Sequence, residues 1–309
     1  MHVLVYGTGA VGGYFGARLA TGGHDVTFVA RGRNLEALRA DGLRVLMGTP
    51  AETIHVQRVR AVERPADAPP AELVLVCVKS YDTATAADAL RAVVGADTIV
   101  LSLQNGIENE AILAERLGLP PLLIGLTRIG VELTAPATVL YSGRGEILFG
   151  EPDGSESQRA HRLAATLAAA GVPHQLRRDV LVTAWEKLAW NAGFNAVTTL
   201  ADATVREVLA LPACRDLIVT AMEEVDAVAT ALGIPVRRHR TQTVLDDSLT
   251  GLPDFPTSML QDRRRHRRLE HDAINGAVVR AATRTGIAVP VNRTLHALLE
   301  RLDPWTKKG

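Results

Sequence analysis

Four short apolar runs punctuate the first hundred residues: HVLVYG (2–7), DVTFVA (25–30), LVLVCV (73–78) and TIVLSL (98–103). Each is rich in Val, Ile and Leu without strict alternation. A strand with one wet face alternates apolar and polar residues, whereas a strand buried on both faces does not. The spacers are helical in pattern, including one helix from about Ala10 to Thr21, stopped by Gly22-Gly23. This βαβ rhythm predicts a parallel, doubly wound sheet. Two later runs, LLIGLTRIGVEL (122–133) and TVLYSGRGEILFGE (138–151), are expected to extend that sheet, the second as a hairpin around Gly143. A helix from about Glu156 to Ala169 and a short strand at HQLRR (174–178) close the region.

After Asp179 the strand pattern stops. Helical segments follow in WEKLAWNAGFNAV (185–197), PACRDLIVTAMEEVDAVATALG (212–233), SMLQD (258–262), AINGAVVRAATRTG (273–286) and RTLHALLERL (293–302). The expected architecture is α/β: a Rossmann-type doubly wound parallel sheet domain over 1–178, then an all-α domain over 179–309. In the first of these helices Lys187, Asn191 and Asn195 fall at four-residue spacing, which makes one stripe. The other faces are apolar. Facing water, the stripe is ordinary; buried, it needs partners, because unpaired polar groups are costly to desolvate. A ligand in a cleft would be such a partner.

Composition narrows the function classes. Lys+Arg and Asp+Glu both count 34, so no net field draws nucleic acid or an anionic membrane. Aromatics are only 4% against 47% hydrophobic, so the core must be built mainly from Ala, Leu and Val. Cys77 and Cys214 are the only cysteines and lack metal-site spacing, as expected for reduced thiols in a cytoplasmic protein. No uncharged apolar run reaches about 18 residues, and no basic leader or cleavage site precedes HVLVYG. The expectation is a cytoplasmic protein with no metal, no nucleic acid and no membrane among its partners.

GTGAVG runs from Gly7 to Gly12, after the first strand and at the start of a helix, the setting a dinucleotide fingerprint requires. Gly7 is expected to make the tight turn, Gly9 to admit a pyrophosphate, and Gly12 to allow close helix–strand packing. With Ala10 and Val11 these residues offer helix N-terminal amides to the phosphates. At the end of the second strand an NAD binder places an acid; here FVARGR offers Arg31 and Arg33 instead. A guanidinium suits a 2′-phosphate, so NADP (NADPH) is the expected cofactor, with Lys79 in CVKSYDT as a second cation. Asn105-Gly106 ends the fourth strand, where ligands bind in such sheets, although Asn-Gly is also a turn dipeptide.

The segment PTSMLQDRRRHRRLEHDAING (256–276) has two readings residue by residue. Ser258 and Gln261 match a capping box, and Glu270 and Asp272 are placed to pair with Arg267 and Arg268. Its five Arg and one His over 263–268, without interleaved aromatics, read as a solvated face rather than a nucleic-acid patch.

Taken together, GTGAVG, VKSYDT, SLQNG, WEKLAWNAGFNAVTTL, SMLQD and EHDAINGAVVR followed by GIAVPVN resemble the ketopantoate reductase (2-dehydropantoate 2-reductase) family over nearly the whole chain. The resemblance implies NADPH-dependent reduction of a 2-keto acid in pantothenate synthesis. It implies that Lys187 is the general acid, that Asn105 lies beside nicotinamide and substrate, that Asn191, Asn195 and Ser258 contact substrate, and that Glu270 holds its hydroxyl. The stripe is then one wall of a cleft facing the cofactor, and a homodimer is the assembly this reading admits. An unperturbed lysine has a pKa of about 10.4, so a lysine in this role is expected to be charged at neutral pH and able to protonate an alkoxide. A relative that reduces another 2-keto acid and a non-catalytic NADP(H) sensor are the rival readings. Two residues depart from the family pattern: His266 stands where Gly is common and Leu269 where Thr is common. In one continuous helix, Ser258 and Glu270 would lie about 18 Å apart, too far for a six-carbon acid. The resemblance therefore requires a break in this stretch, made without the glycine.

Overall fold

The computed structural model describes residues 1–237 and 241–305; residues 238–240 and 306–309 of the expected second domain lie outside them. Contacts divide the chain into two compact units, Met1–Gln104 with Asn109–Val180, and Asn105–Glu108 with Leu181–Gly309.

The strands are β1 (His2–Tyr6), β2 (Asp25–Val29), β3 (Leu43–Met47), β4 (Thr49–Val56), β5 (Arg60–Val62), β6 (Leu73–Val76), β7 (Ile99–Ser102), β8 (Ile124–Ala135), β9 (Thr138–Gly150) and β10 (His174–Leu176). The first sheet runs β5-β2-β1-β6-β7, every pair parallel. Its composition follows from its burial. Val3 and Val5 of β1 enter one core with Phe15, Leu19 and Phe28, while Leu4 and Tyr6 enter another with Ala86, Ala87 and Leu90. Both faces are dry, so the strands show no polar alternation. This is the doubly wound α/β arrangement, with helix Ala10–Thr21 following β1.

Two expectations about the later strands fail. The segments 122–133 and 138–151 do not extend the first sheet; they build a second one, ordered β10-β9-β3-β4, with β8 paired to β9. The reason is that both edges of β9 are taken, by antiparallel β8 on one side and by parallel β3 and β10 on the other. Only the isolated bridge Leu101–Leu123 joins the first sheet among the described residues. Nor is Gly143 a hairpin turn. The turn falls at Pro136-Ala137, with Ala137 at φ 53°, and β9 runs unbroken past Gly143, Arg144 and Gly145. Those three residues take φ of 140°, 62° and 97° where the register with β8 shifts. Their turn-like composition serves a bulge inside a strand.

The second unit is helical. Helix Val180–Trp190 passes into a π-helical turn, Asn191–Asn195, and then into helix Ala196–Ala201. A second π turn, Asp272–Gly276, leads into helix Ala277–Thr285. The unit has its own core, including Leu188, Phe194, Ile218, Met222, Leu269, Ile274 and Val278. Among the described residues, no helix is long and apolar enough to cross a membrane.

Candidate functional site

In the first unit the glycine positions differ in what surrounds them. Gly7 takes φ 98°, and a Cβ there would meet Val78 N at 2.7 Å. A Cβ on Gly12 would lie 2.4 Å from the Gly7 carbonyl oxygen and 2.9 Å from Val5 Cγ1. Both positions therefore require glycine. Gly9 has nothing within 4 Å of its Cβ position, so its outer side is open. Gly9 caps helix Ala10–Thr21, so the amides of Ala10, Val11 and Gly12 lack intrahelical acceptors. An open backbone and unspent amides at a helix N-terminus fit a pyrophosphate.

The turn is fixed by residues that sequence reading missed. Thr8 donates to the Val29 carbonyl from both N and Oγ1, at 3.1 and 3.0 Å. Asn34 Nδ2 donates to the Thr8 carbonyl at 2.7 Å, and Asn34 Oδ1 accepts from Ala137 N at 2.7 Å. The signal for Asn34 was a polar residue in the first turn of the helix after β2. Arg31 is exposed at the N-cap of helix Gly32–Asp41. Its guanidinium faces the Tyr6 hydroxyl; burial pushes the Tyr6 pKa up, and Arg31 opposes that shift. Lys79 is half-buried and directly follows Val78, whose backbone packs against Gly7.

In the second unit two pairs of candidate residues meet. Asn105 Nδ2 donates to Glu270 Oε2 at 3.4 Å. Asn195 Nδ2 donates to Asn191 Oδ1 at 3.3 Å. Asn191, Asn195 and Glu270 are at most 5% exposed, and Lys187 is half-buried on the preceding helix. In an uninterrupted α-helix, residues at four-residue spacing drift about 40° per step, so Lys187 and Asn195 would diverge by about 80°. The π turn rotates less per residue and brings Asn195 back toward the line of Lys187. Its apolar side is anchored by Phe194, fully buried and stacked on Trp190 with centroids 4.9 Å apart. Asn195 Oδ1 is buried without a hydrogen-bond partner, an acceptor that a ligand hydroxyl or amide would satisfy.

The Asn105 segment is held at several points. Within the first unit, Thr83 Oγ1 accepts from Gln104 Nε2 at 2.8 Å and lies 2.9 Å from Asn109 Oδ1. Within the second unit, Arg280 grips Glu108 at 2.7 and 3.3 Å and Asp272 Oδ1 at 2.7 Å. His296 and then Arg280 hold the Asp272 carboxyl well below the usual range, against burial. The ion-pair expectation for Asp272 is thus corrected: its guanidinium partner is Arg280 rather than Arg267 or Arg268, because the π turn aims it along its own helix. His271, between Glu270 and Asp272, is pushed below the ordinary imidazole pKa by burial and by the neighbouring His296.

Ser258 stands apart. It is exposed at the first residue of helix Ser258–Arg264, and the N-cap is Thr257, so the expected capping box does not form. Thr257 Oγ1 pairs with Thr198 Oγ1 at 2.8 Å, and Gln261 Nε2 donates to the Pro256 carbonyl at 3.0 Å. Among the described residues the Ser258 hydroxyl joins neither candidate pair.

The break before Glu270 is present. The helix ends at Arg264, and His266 takes φ 53°. His266 N donates to the Arg263 carbonyl at 2.9 Å and Arg267 N to the Asp262 carbonyl at 2.9 Å. This is a Schellman motif with histidine in the left-handed position usually given to glycine. Leu269 is 2% exposed in the second core, and its amide donates to Asp303 Oδ2 at 3.2 Å. The separation expected for one continuous helix therefore does not apply.

Comparison with known proteins bears on both units. Residues 3–154 match the family model described as Ketopantoate reductase PanE/ApbA, and residues 179–303 match Ketopantoate reductase PanE/ApbA C terminal. A 2-dehydropantoate 2-reductase from Halobacterium salinarum is 36% identical over 301 residues, covering 97% of this chain and 98% of that one. The crystal structure of a PanE/ApbA family ketopantoate reductase from Ralstonia eutropha superimposes with TM-score 0.90 at 33% identity, over 99% and 100% of the two chains. A D-mandelate dehydrogenase solved with NADH and anilino(oxo)acetate superimposes with TM-score 0.91 over 99% and 100%, at 22% identity, a likeness of fold.

Proposed function

This chain belongs to the ketopantoate reductase family, which makes it an oxidoreductase, and on that premise we propose that it reduces 2-dehydropantoate (ketopantoate) to pantoate with NADPH. The observation that carries the reading is the buried polar set of the second unit: Glu270 against Asn105, and Asn195 against Asn191 with an unsatisfied oxygen. A small acid carrying a hydroxyl and a carbonyl offers the hydroxyl donor that Asn195 Oδ1 lacks and the oxygens that the amides and Lys187 bind. Curated relatives carry the name 2-dehydropantoate 2-reductase, which supports the same substrate.

Gly7, Gly9, Ala10, Val11 and Gly12 would hold the cofactor's pyrophosphate, as the open face at Gly9 supports. Arg31, with Lys79, would bind the 2′-phosphate that distinguishes NADPH from NADH. When bound, NADPH supplies the hydride. The chain's own residues do the rest. Lys187 donates a proton from Nζ to the carbonyl oxygen as negative charge grows there, and its charge draws the substrate carboxylate. Asn191 and Asn195 bind oxygens of the substrate without adding charge. Glu270 accepts a hydrogen bond from the substrate hydroxyl, and Asn105 orients that carboxylate. Ser258, at the exposed start of its helix, would contribute at the rim. The cytoplasm is the compartment proposed for this activity.

The D-mandelate dehydrogenase likeness keeps a second reading in view, since the same fold in that protein is named for a different 2-hydroxy acid. Loss of NADPH absorbance with ketopantoate, together with identification of pantoate as product, tests the proposal. Oxidation of NADPH only by other 2-keto acids would favour the second reading.

A further inference from the structure

Both π turns of the second unit belong to one buried polar chain. Asn275, inside the turn Asp272–Gly276, spends both hydrogens of its amide: Nδ2 donates to the Ala192 carbonyl at 3.0 Å and to Asn292 Oδ1 at 3.1 Å. Ala192 lies inside the other turn, Asn191–Asn195. Asn292 Nδ2 in turn donates to Glu224 Oε2 at 2.8 Å and to the Ala221 carbonyl at 2.9 Å. Glu224 also accepts the amides of Val291 and Asn292, each at 2.8 Å, at the start of helix Pro290–Leu302. Asn275 and Asn292 are fully buried and Glu224 is 9% exposed.

The direction of every bond follows from one end. The Glu224 carboxylate accepts three hydrogen bonds here, so Asn292 must point Nδ2 toward it and present Oδ1 to Asn275. Asn275 must then present Nδ2, and the same nitrogen reaches Ala192. A flip of Asn275 would set its oxygen against two acceptors. The chain therefore carries a fixed donor from Glu224 into the turn that presents Asn191 and Asn195. A wide turn interrupts the regular carbonyl–amide ladder of a helix, and a side-chain donor aimed at a carbonyl inside it holds that geometry.

We propose that Glu224, Asn292 and Asn275 are positioning residues that keep the Asn191–Asn195 turn in its wide form and so set the two substrate amides, a role that rests on the keto-acid reading above. None of the three needs to touch substrate. Without the donor from Asn275, the turn is free to relax toward α geometry, and Asn195 swings away from the line of Lys187.

Steady-state kinetics with NADPH and ketopantoate on the full chain tests the relay, using Asn275→Leu, the near-isosteric Asn275→Asp and the remote Glu224→Gln. Melting temperatures and nicotinamide fluorescence titrations are measured alongside, with assays well below each melting point. Both Asn275 variants are expected to raise KM for the keto acid by about tenfold or more, with a smaller loss in kcat and an unchanged NADPH Kd. Asn275→Asp should be no milder than Asn275→Leu, because it keeps the volume and loses the donor. Glu224→Gln should raise KM by about threefold or more, and it decides the matter if neither Asn275 variant folds. Folded variants with lower melting temperatures but wild-type KM would reduce the chain to a purely structural role and overturn the proposal. Equal loosening of NADPH and keto acid would overturn it as well. Wild-type enzyme that reduces no 2-keto acid overturns the reading and the relay's substrate role together, whereas wild-type activity with unchanged variant KM overturns the relay alone.

Discussion

Asn105 and Glu270 lie 165 residues apart in sequence, yet the amide of one donates to the carboxylate of the other across 3.4 Å. Glu270 is 5% exposed, so its hydrogen bonds form in a medium that strengthens them and penalises their loss. Replacing Glu270 by Gln should weaken keto-acid binding, because one acceptor oxygen becomes a donor. Replacing it by Ala should abolish the distinction between hydroxylated and plain 2-keto acids. Kinetics of both variants on ketopantoate and 2-ketoisovalerate check this, and an undiminished distinction in Glu270→Ala would remove Glu270 from substrate recognition.

Arg31 faces Tyr6 at the end of the first strand pair, where the ribose of a dinucleotide is read. A charge-assisted contact is worth roughly 1.5–3 kcal/mol, about a 10- to 100-fold change in binding. Arg31→Ala should narrow the preference for NADPH over NADH by that factor, chiefly by weakening NADPH. Competitive titration of the two cofactors measures it. Equal use of both by the wild type would contradict the assignment.

Lys187→Ala should lower kcat by about 100-fold or more, the scale of a lost general acid, while NADPH affinity stays near wild type. Single-turnover measurements separate this from slow product release. A variant with near-normal turnover would exclude Lys187 as the proton donor.

His266 sits at φ 53° in a C-terminal cap. Left-handed geometry costs a non-glycine residue about 1–2 kcal/mol. Glycine relieves that strain but makes the unfolded chain more flexible, a loss of about 0.4–1 kcal/mol. The difference favours His266→Gly by roughly 0.5–1 kcal/mol, so the urea midpoint should rise slightly with kinetics unchanged. A lower midpoint would show that the imidazole contributes more than the strain it imposes.

The first sheet was legible because burial on both faces removes polar residues from whole strands, so β1, β2, β6 and β7 stand out as runs. The second sheet was not. Its strand β9 pairs with β3, about a hundred residues earlier, and no local pattern encodes a partner that distant. Gly143 misled because a strand bulge and a hairpin turn both require residues tolerant of positive φ. Ser258 misled because the helix starts one residue earlier than the capping pattern implies: Thr257 takes the N-cap position with its hydroxyl on Thr198 instead of the helix amides, and Ser258 becomes an exposed first residue. Lys187, Asn191 and Asn195 were recognisable as a stripe, but the π turn that keeps them aligned leaves no mark in periodicity. Asn275 drew no separate reading in the sequence, because its positioning role depends on Asn292 and Glu224, which pattern alone does not connect.

The central claim is that the second unit recognises the hydroxyl of ketopantoate, and it is tested most directly by comparing kcat/KM of the wild-type enzyme for ketopantoate and 2-ketoisovalerate with NADPH. The two acids differ by one hydroxymethyl group, which carries that hydroxyl in ketopantoate and is replaced by hydrogen in 2-ketoisovalerate. A site built to bond it loses a hydrogen bond to a buried carboxylate when the hydroxyl is missing, so ketopantoate should be favoured by about 100-fold or more. Equal efficiency for the two acids, or a preference for 2-ketoisovalerate, would contradict the account.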